Sequence, residues 1–178
     1  MIYIGLISKN KNIELAKELN DKDVQAINIK TIDDLKDIKL DILVLEDLVL
    51  DKESINKIIQ NVKYLIIQDN INDLELHLDN EINIITFGFN HKSTVTVSSV
   101  TDDNIIICIQ RTIKSINNNS ISSQEFIIKN TNKYNINKYI IKKIIKEILE
   151  NIVPTVDVLK IIKPVYNFKA SEIHFKRD

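Results

Sequence analysis

Three polar clusters each follow an apolar run, and each carries groups able to hold a small ligand. Ser8, Lys9, Asn10 and Lys11 come after residues 2–7. Glu46 and Asp47 come after residues 40–45, and Asp69 and Asn70 after residues 62–67. If those runs are parallel strands, all three clusters meet at their carboxyl ends, where open α/β sheets bind ligands. There the two lysines would meet an anion, and the hydroxyl, amide and carboxyl groups would orient it. His91, followed by Lys92, Ser93 and Thr94, adds a group able to act as a base or to contact an anion. Taken singly, each cluster reads as an ordinary solvated loop.

No catalytic constellation accompanies them. His77 and His174 lack the spacing of metal ligands, so no metal site is expected. No G-x-S-x-G elbow occurs. Cys108 is the only cysteine and sits in an apolar run at residues 105–109, which reads as a small buried hydrophobe. No catalytic residue and no cofactor are assigned. Arg111 is one of two arginines in a chain that otherwise uses lysine, so its planar fork suggests a specific pairing. A cross-strand ion pair with Glu125, fixing the register of a hairpin, is the expected role.

The elements that would position these residues follow from the pattern. The chain has 178 residues, 44% of them hydrophobic, enough to bury one core. Isoleucine supplies about a fifth of the chain, and asparagine and lysine are abundant, a bias that A/T-rich codons would produce. The net charge of -1 gives no basic field, which argues against nucleic acid. The apolar start at residues 2–7 is too short for a signal peptide or a membrane span. A cytoplasmic protein without a membrane partner is therefore expected.

Strands are expected at residues 2–7, 24–29, 40–45 and 62–67, alternating with helices that start at Asn12, Thr31 and Ser54 and near Asn72. That alternation predicts parallel pairing. From residue 83 the pattern changes to strands at 83–87, 94–100, 104–113 and 125–129, with a polar turn at 117–120. A long helix at residues 136–152 carries a broad isoleucine stripe, Pro154 ends it, and a shorter helix covers 156–162. The fold class is α/β: a three-layer, mainly parallel Rossmann-like sheet with an antiparallel hairpin addition and a long C-terminal helix. Residues 1–165 form one domain, with 166–178 as a tail.

The segment Ile84-Ile85-Thr86-Phe87-Gly88-Phe89-Asn90 resembles the late part of the Mur ligase central domain. There a strand ending in a Thr-aromatic-Gly turn precedes a small antiparallel unit and a long helix that begins near an Asn. Tyr64 to Asn70, Phe126-Ile127-Ile128 and Tyr134-Asn135-Ile136-Asn137 fit the same order, so the resemblance spans residues 63–165. It implies an ancestral phosphate loop of the G-x-x-G-K-[ST] type after the first strand. The stretch from Gly5 to Ile13 lacks the second glycine and the Lys-Ser or Lys-Thr pair such a loop needs. Glu46 stands where the family carries a metal-binding acid, but Asp47-Leu48 does not match the residues that follow it there. The chain ends where the family's C-terminal domain would begin.

The resemblance thus implies a non-catalytic descendant that binds a protein partner or a small anionic ligand. Two alternatives remain open. One is an enzyme with a rebuilt phosphate site at Lys9, Lys11 and Glu46. The other is an assembly protein that forms a homodimer through the isoleucine stripe of the long helix.

Overall fold

The computed structural model describes residues 1–10, 12–35, 38–71, 74–78, 81–130 and 136–149. The expected helix at 156–162, the break at Pro154, the tail at 166–178 and His174 lie outside them, as does Lys11.

The first half is built from β1 (Ile2–Ile7), α1 (Ile13–Leu19), β2 (Val24–Asn28), β3 (Ile42–Leu45), α2 (Lys52–Ile59) and β4 (Tyr64–Gln68). The second half holds β5 (Asn83–Gly88), β6 (Val95–Val100), β7 (Asn104–Ile109), β8 (Ile113–Lys114), β9 (Ser120–Ile121), β10 (Gln124–Lys129) and α3 (Ile136–Ile148). Eight strands form one sheet in the order β10-β7-β6-β5-β4-β3-β1-β2, while β8 and β9 form a separate pair. The strands β2, β1, β3, β4 and β5 are parallel, and β6, β7 and β10 pair antiparallel. This is the α/β class the pattern predicts.

Both faces of the parallel part are covered, so its strands are apolar on both sides. Every residue of β3 is buried. One face packs Ile4, Leu6, Ile42, Val44, Ile66 and Phe87 under α1 and α3. The other packs Ile7, Leu43, Leu45 and Leu65 under α2 and the chain around Leu35 and Leu40. Residues Ile140, Ile141, Ile144, Ile145 and Ile148 of α3 are all fully buried. The stripe therefore lies in the core, packed with residues of the sheet and of α1. Lys138 fastens α3 to α1 by reaching Glu14 at 3.0 Å and Glu18 at 2.7 Å.

Two expected helices take other forms. The one starting at Thr31 is a single 3-10 turn, Ile32–Asp34. The Asp34 carboxylate accepts from the backbone N–H groups of Lys30 and Thr31, which closes the turn locally. Residues 74–78 are not helical. Leu74 and Leu76 alternate onto the core. Asn56 donates to the Glu75 carbonyl and accepts from the His77 N–H, which holds an extended strip. That alternation has a period of two, which suits extended chain.

The long strand expected at 104–113 is divided. β7 stops at Ile109, and Ile113 starts the small β8–β9 hairpin, whose turn contains Asn118 at φ 65. β10 then returns to β7, as expected for the antiparallel addition.

Candidate functional site

The strand order reverses at β1. Its neighbours are β2 on one side and β3 on the other, and the connections leave in opposite directions. The carboxyl ends of β1 and β3 therefore flank the crevice in which ligands of open α/β sheets bind. Ser8, Lys9 and Asn10 follow β1, and Glu46 and Asp47 follow β3. The backbone joins them, because Glu46 N–H donates to Ile7 O at 3.0 Å.

The side chains tie these two loops together. Lys9 N–H donates to Asp47 Oδ2 at 3.1 Å, and Lys9 Nζ lies 3.6 Å from Asp47 Oδ1. The lysine's charge is thus matched within the protein. Asn12, expected as a helix cap, makes no side-chain cap bond. Its side-chain amide instead donates to Glu46 Oε1, while its backbone N–H goes to Asn28 Oδ1 at 3.0 Å. Ser8 Oγ donates to the Asn10 carbonyl at 2.6 Å and closes the loop on itself.

Glu46 is the perturbed group of this cluster. Burial pushes its carboxyl up to about 7, the neighbouring Asp47 charge adds to that, and the Asn12 amide opposes it. At neutral pH the group is poised between its acid and its anion. It can donate a hydrogen bond to a ligand or accept one.

Gly5 is not part of the loop. It lies inside β1, and a Cβ there would stand 2.6 Å from both Ile29 Cδ1 and Leu40 Cδ1. The glycine makes room for side chains that pack onto the sheet. The loop after β1 thus begins at Ser8 and shows no glycine.

Asp69 and His91 belong to a second cluster at β4 and β5. Asp69 Oδ2 accepts from Asn90 N–H at 2.7 Å and from Ser93 Oγ at 2.9 Å. It therefore braces the short loop that leads from β5 to β6. Gly88 opens that loop at φ 151, a positive angle that glycine adopts more readily than other residues. Thr94 N–H donates to Thr86 Oγ1 at 2.9 Å, and Arg111 Nη2 donates to the Lys92 carbonyl at 3.1 Å. Asn70 and His91 are exposed. No hydrogen bond or ion pair among the described residues links this cluster to Glu46.

The Arg111–Glu125 pair is a correction. The register sets Glu125 opposite Cys108, and Arg111 lies beyond the end of β7. Its guanidinium turns to the loop of Lys92 instead. Cys108 is half-buried, and its thiol is raised first by burial and then by the Glu125 charge. That keeps it protonated.

Sequence reasoning missed Asn12 as the partner of Glu46 and Ser93 as the partner of Asp69. Asn12 has the type and position of a cap, and nothing in its neighbours signals a partner at residue 46. Among the described residues no three His, Cys, Asp or Glu side chains gather as metal ligands, and no helix is long and apolar enough to cross a membrane. Compared with protein-family models and with curated proteins, the chain matches none of them.

Proposed function

We propose that this chain is a non-catalytic binding protein, built on a Mur-ligase-like central domain, whose small ligand enters the crevice between β1 and β3. One observation carries the reading. Glu46, a carboxyl raised to about 7, stands at the strand-order reversal with its acid and anion both accessible near neutral pH. Strained or perturbed groups in clefts mark functional sites more often than packing alone explains.

The charges at the crevice favour one ligand class. Among the described residues they are Glu46, Asp47 and Lys9, and Lys9 is paired with Asp47. Two carboxyls against one committed lysine favour a neutral or cationic polar group, such as an amine or amide, over a phosphate. The loop after β1 also lacks the glycines and the Lys-Ser pair that would cradle a nucleotide. A small anionic ligand, the expectation from Lys9 and Lys11, is the weaker reading on these charges.

The test is thermal denaturation of the full chain with ATP and Mg²⁺, with inorganic phosphate and with a series of small amines, alongside phosphate release from ATP. Stabilisation by an amine or amide, reduced in Glu46→Ala, is expected. Nucleotide stabilisation with turnover would establish the alternative, an enzyme with a rebuilt phosphate site.

A further inference from the structure

The eight-stranded sheet has two edges, and they differ. The β2 edge is closed by its own chain. Asn20 Oδ1 accepts the Ala26 N–H at 2.6 Å, and the Asp21 N–H takes the Val24 carbonyl at 2.9 Å. The β10 edge shows no such hook among the described residues. Among the described residues β10 pairs only with β7. An edge strand with open main-chain groups is a template for another strand.

The phase of that edge is fixed. Asn130 N–H donates to Asp103 O at 2.8 Å, in line with the β10–β7 register. Residues 124, 126 and 128 therefore turn their main-chain groups toward β7, and Glu125, Ile127 and Lys129 turn theirs outward. The side chains of the same three residues are exposed on one face of the sheet, the face opposite to buried Phe126. Ile127 is 42% exposed and lies across from half-buried Ile106. Neither Glu125 nor Lys129 makes an ion pair among the described residues.

We propose that β10 pairs antiparallel with β10 of a second copy of this chain, about a two-fold axis at Ile127. In that register Ile127 faces Ile127 of the other copy, and Glu125 faces its Lys129. Each of the outward residues then exchanges both main-chain groups with its opposite number. The apolar row Ile106–Ile127 continues across the axis into its copy, and the two sheets become one.

Charge selects this register and the partner. Edge charges ordinarily discourage pairing. Here they have opposite signs and stand symmetrically about Ile127, so pairing with a copy brings both into contact with their complements. An axis at Phe126 or Ile128 would set a charge against Ile127. An axis at Glu125 or Lys129 would set like charges together. The interface is isologous, as a closed dimer requires. It is distinct from the stripe of α3, which is buried in the core.

Sedimentation velocity of the full chain over a range of concentrations, at low salt, tests the proposal. The unaltered protein should show a concentration-dependent monomer–dimer equilibrium. Glu125→Lys and Lys129→Glu should each sediment as monomers, because each replaces two attractive pairs with two repulsive ones. An equimolar mixture of the two variants should dimerise, and so should the double variant carrying both changes. A monomer at every concentration would overturn the proposal. So would single variants that dimerise like the parent, or a mixture that stays monomeric.

Discussion

The carboxylate of Asp69 occupies the space that a side chain at Gly88 would need. A Cβ built on Gly88 would overlap the carboxyl carbon and both oxygens of Asp69. The two residues sit at the ends of adjacent strands, and Asp69 N–H also donates to Phe87 O at 2.8 Å. The glycine's φ of 151 adds a conformational demand that other residues meet poorly. So the loop from β5 to β6 is held by a bare backbone position on one side and a carboxylate on the other.

Gly88→Ala should therefore cost about 3 kcal/mol or more, from overlap and backbone strain together. Asp69→Ala should cost about 2 kcal/mol, because it strands the Asn90 N–H and the buried Ser93 hydroxyl. The two costs should not add. With the carboxylate gone the overlap disappears, so the double variant should recover about 1 kcal/mol or more relative to the sum. Urea denaturation of the four proteins measures the coupling. Strict additivity would mean that the carboxylate does not hold the place of the missing side chain.

Glu46 predicts a pH dependence of stability whose sign is opposite to that of a salt-bridged acid. Its folded value of about 7 lies above the ordinary 4.5, so the folded state holds a proton that the unfolded state has released. The favourable contribution is full below pH 4.5 and is lost as the pH rises through about 7. The loss amounts to roughly 3 kcal/mol at most, at 1.36 kcal/mol per pH unit, and less where water reaches the carboxyl. Glu46→Gln should match the parent at pH 5 and exceed it at pH 8. Melting curves at the two pH values decide this. A variant that is less stable at pH 8 would show that the ionised carboxylate is the supported form.

Much of this fold is legible in the sequence because its signals are local. The runs at 2–7, 40–45 and 62–67 are uncharged but for Asp41 and Lys63 near their starts, and strands buried on both faces ask for such runs. The α3 stripe is equally plain. The expected helix near Asn72 failed because Leu74 and Leu76 alternate, and five residues cannot separate that period from a helical one. The candidate site is half legible. The clusters at Ser8 and Glu46 do meet, since strand ends in a parallel sheet must lie side by side. Asp69 turned inward to brace a loop, and Arg111 turned to a carbonyl. Both choices depend on partners far away in sequence, to which local pattern is blind.

Gly5 separates a packing glycine from a loop glycine. The atoms a Cβ would meet are the terminal methyls of Ile29, Leu40 and Leu43, at 2.6, 2.6 and 3.2 Å. Such methyls can shift by rotamer, unlike a carboxylate pinned by two hydrogen bonds. Gly5→Ala should thus cost about 1–2 kcal/mol, typical of overpacking and less than Gly88→Ala. It should leave any ligand affinity at the Glu46 crevice unchanged. A fall in affinity without a fall in stability would return Gly5 to the ligand loop.

Lys143 is the one described lysine buried under a tenth exposed, and it depends on Glu147 and Phe126. Its Nζ lies 2.6 Å from Glu147 Oε1 and 3.5 Å from the Phe126 ring centre, with side-chain exposures of 8% and 14% for the ion pair. Removing either charge breaks this ion pair beside the sheet. Glu147→Gln should cost about 3 kcal/mol, in the range for breaking a buried pair. Replacing both, as in Lys143→Met with Glu147→Leu, fills similar volume without charge and should cost under about 1 kcal/mol. Phe126 keeps a packing partner in the double variant, because the methionine sulfur can lie against the ring. Denaturant midpoints of the single and double variants give the answer. A double variant as weak as the single would show that the ion pair itself, rather than the packing of the side chains, holds α3 to β10.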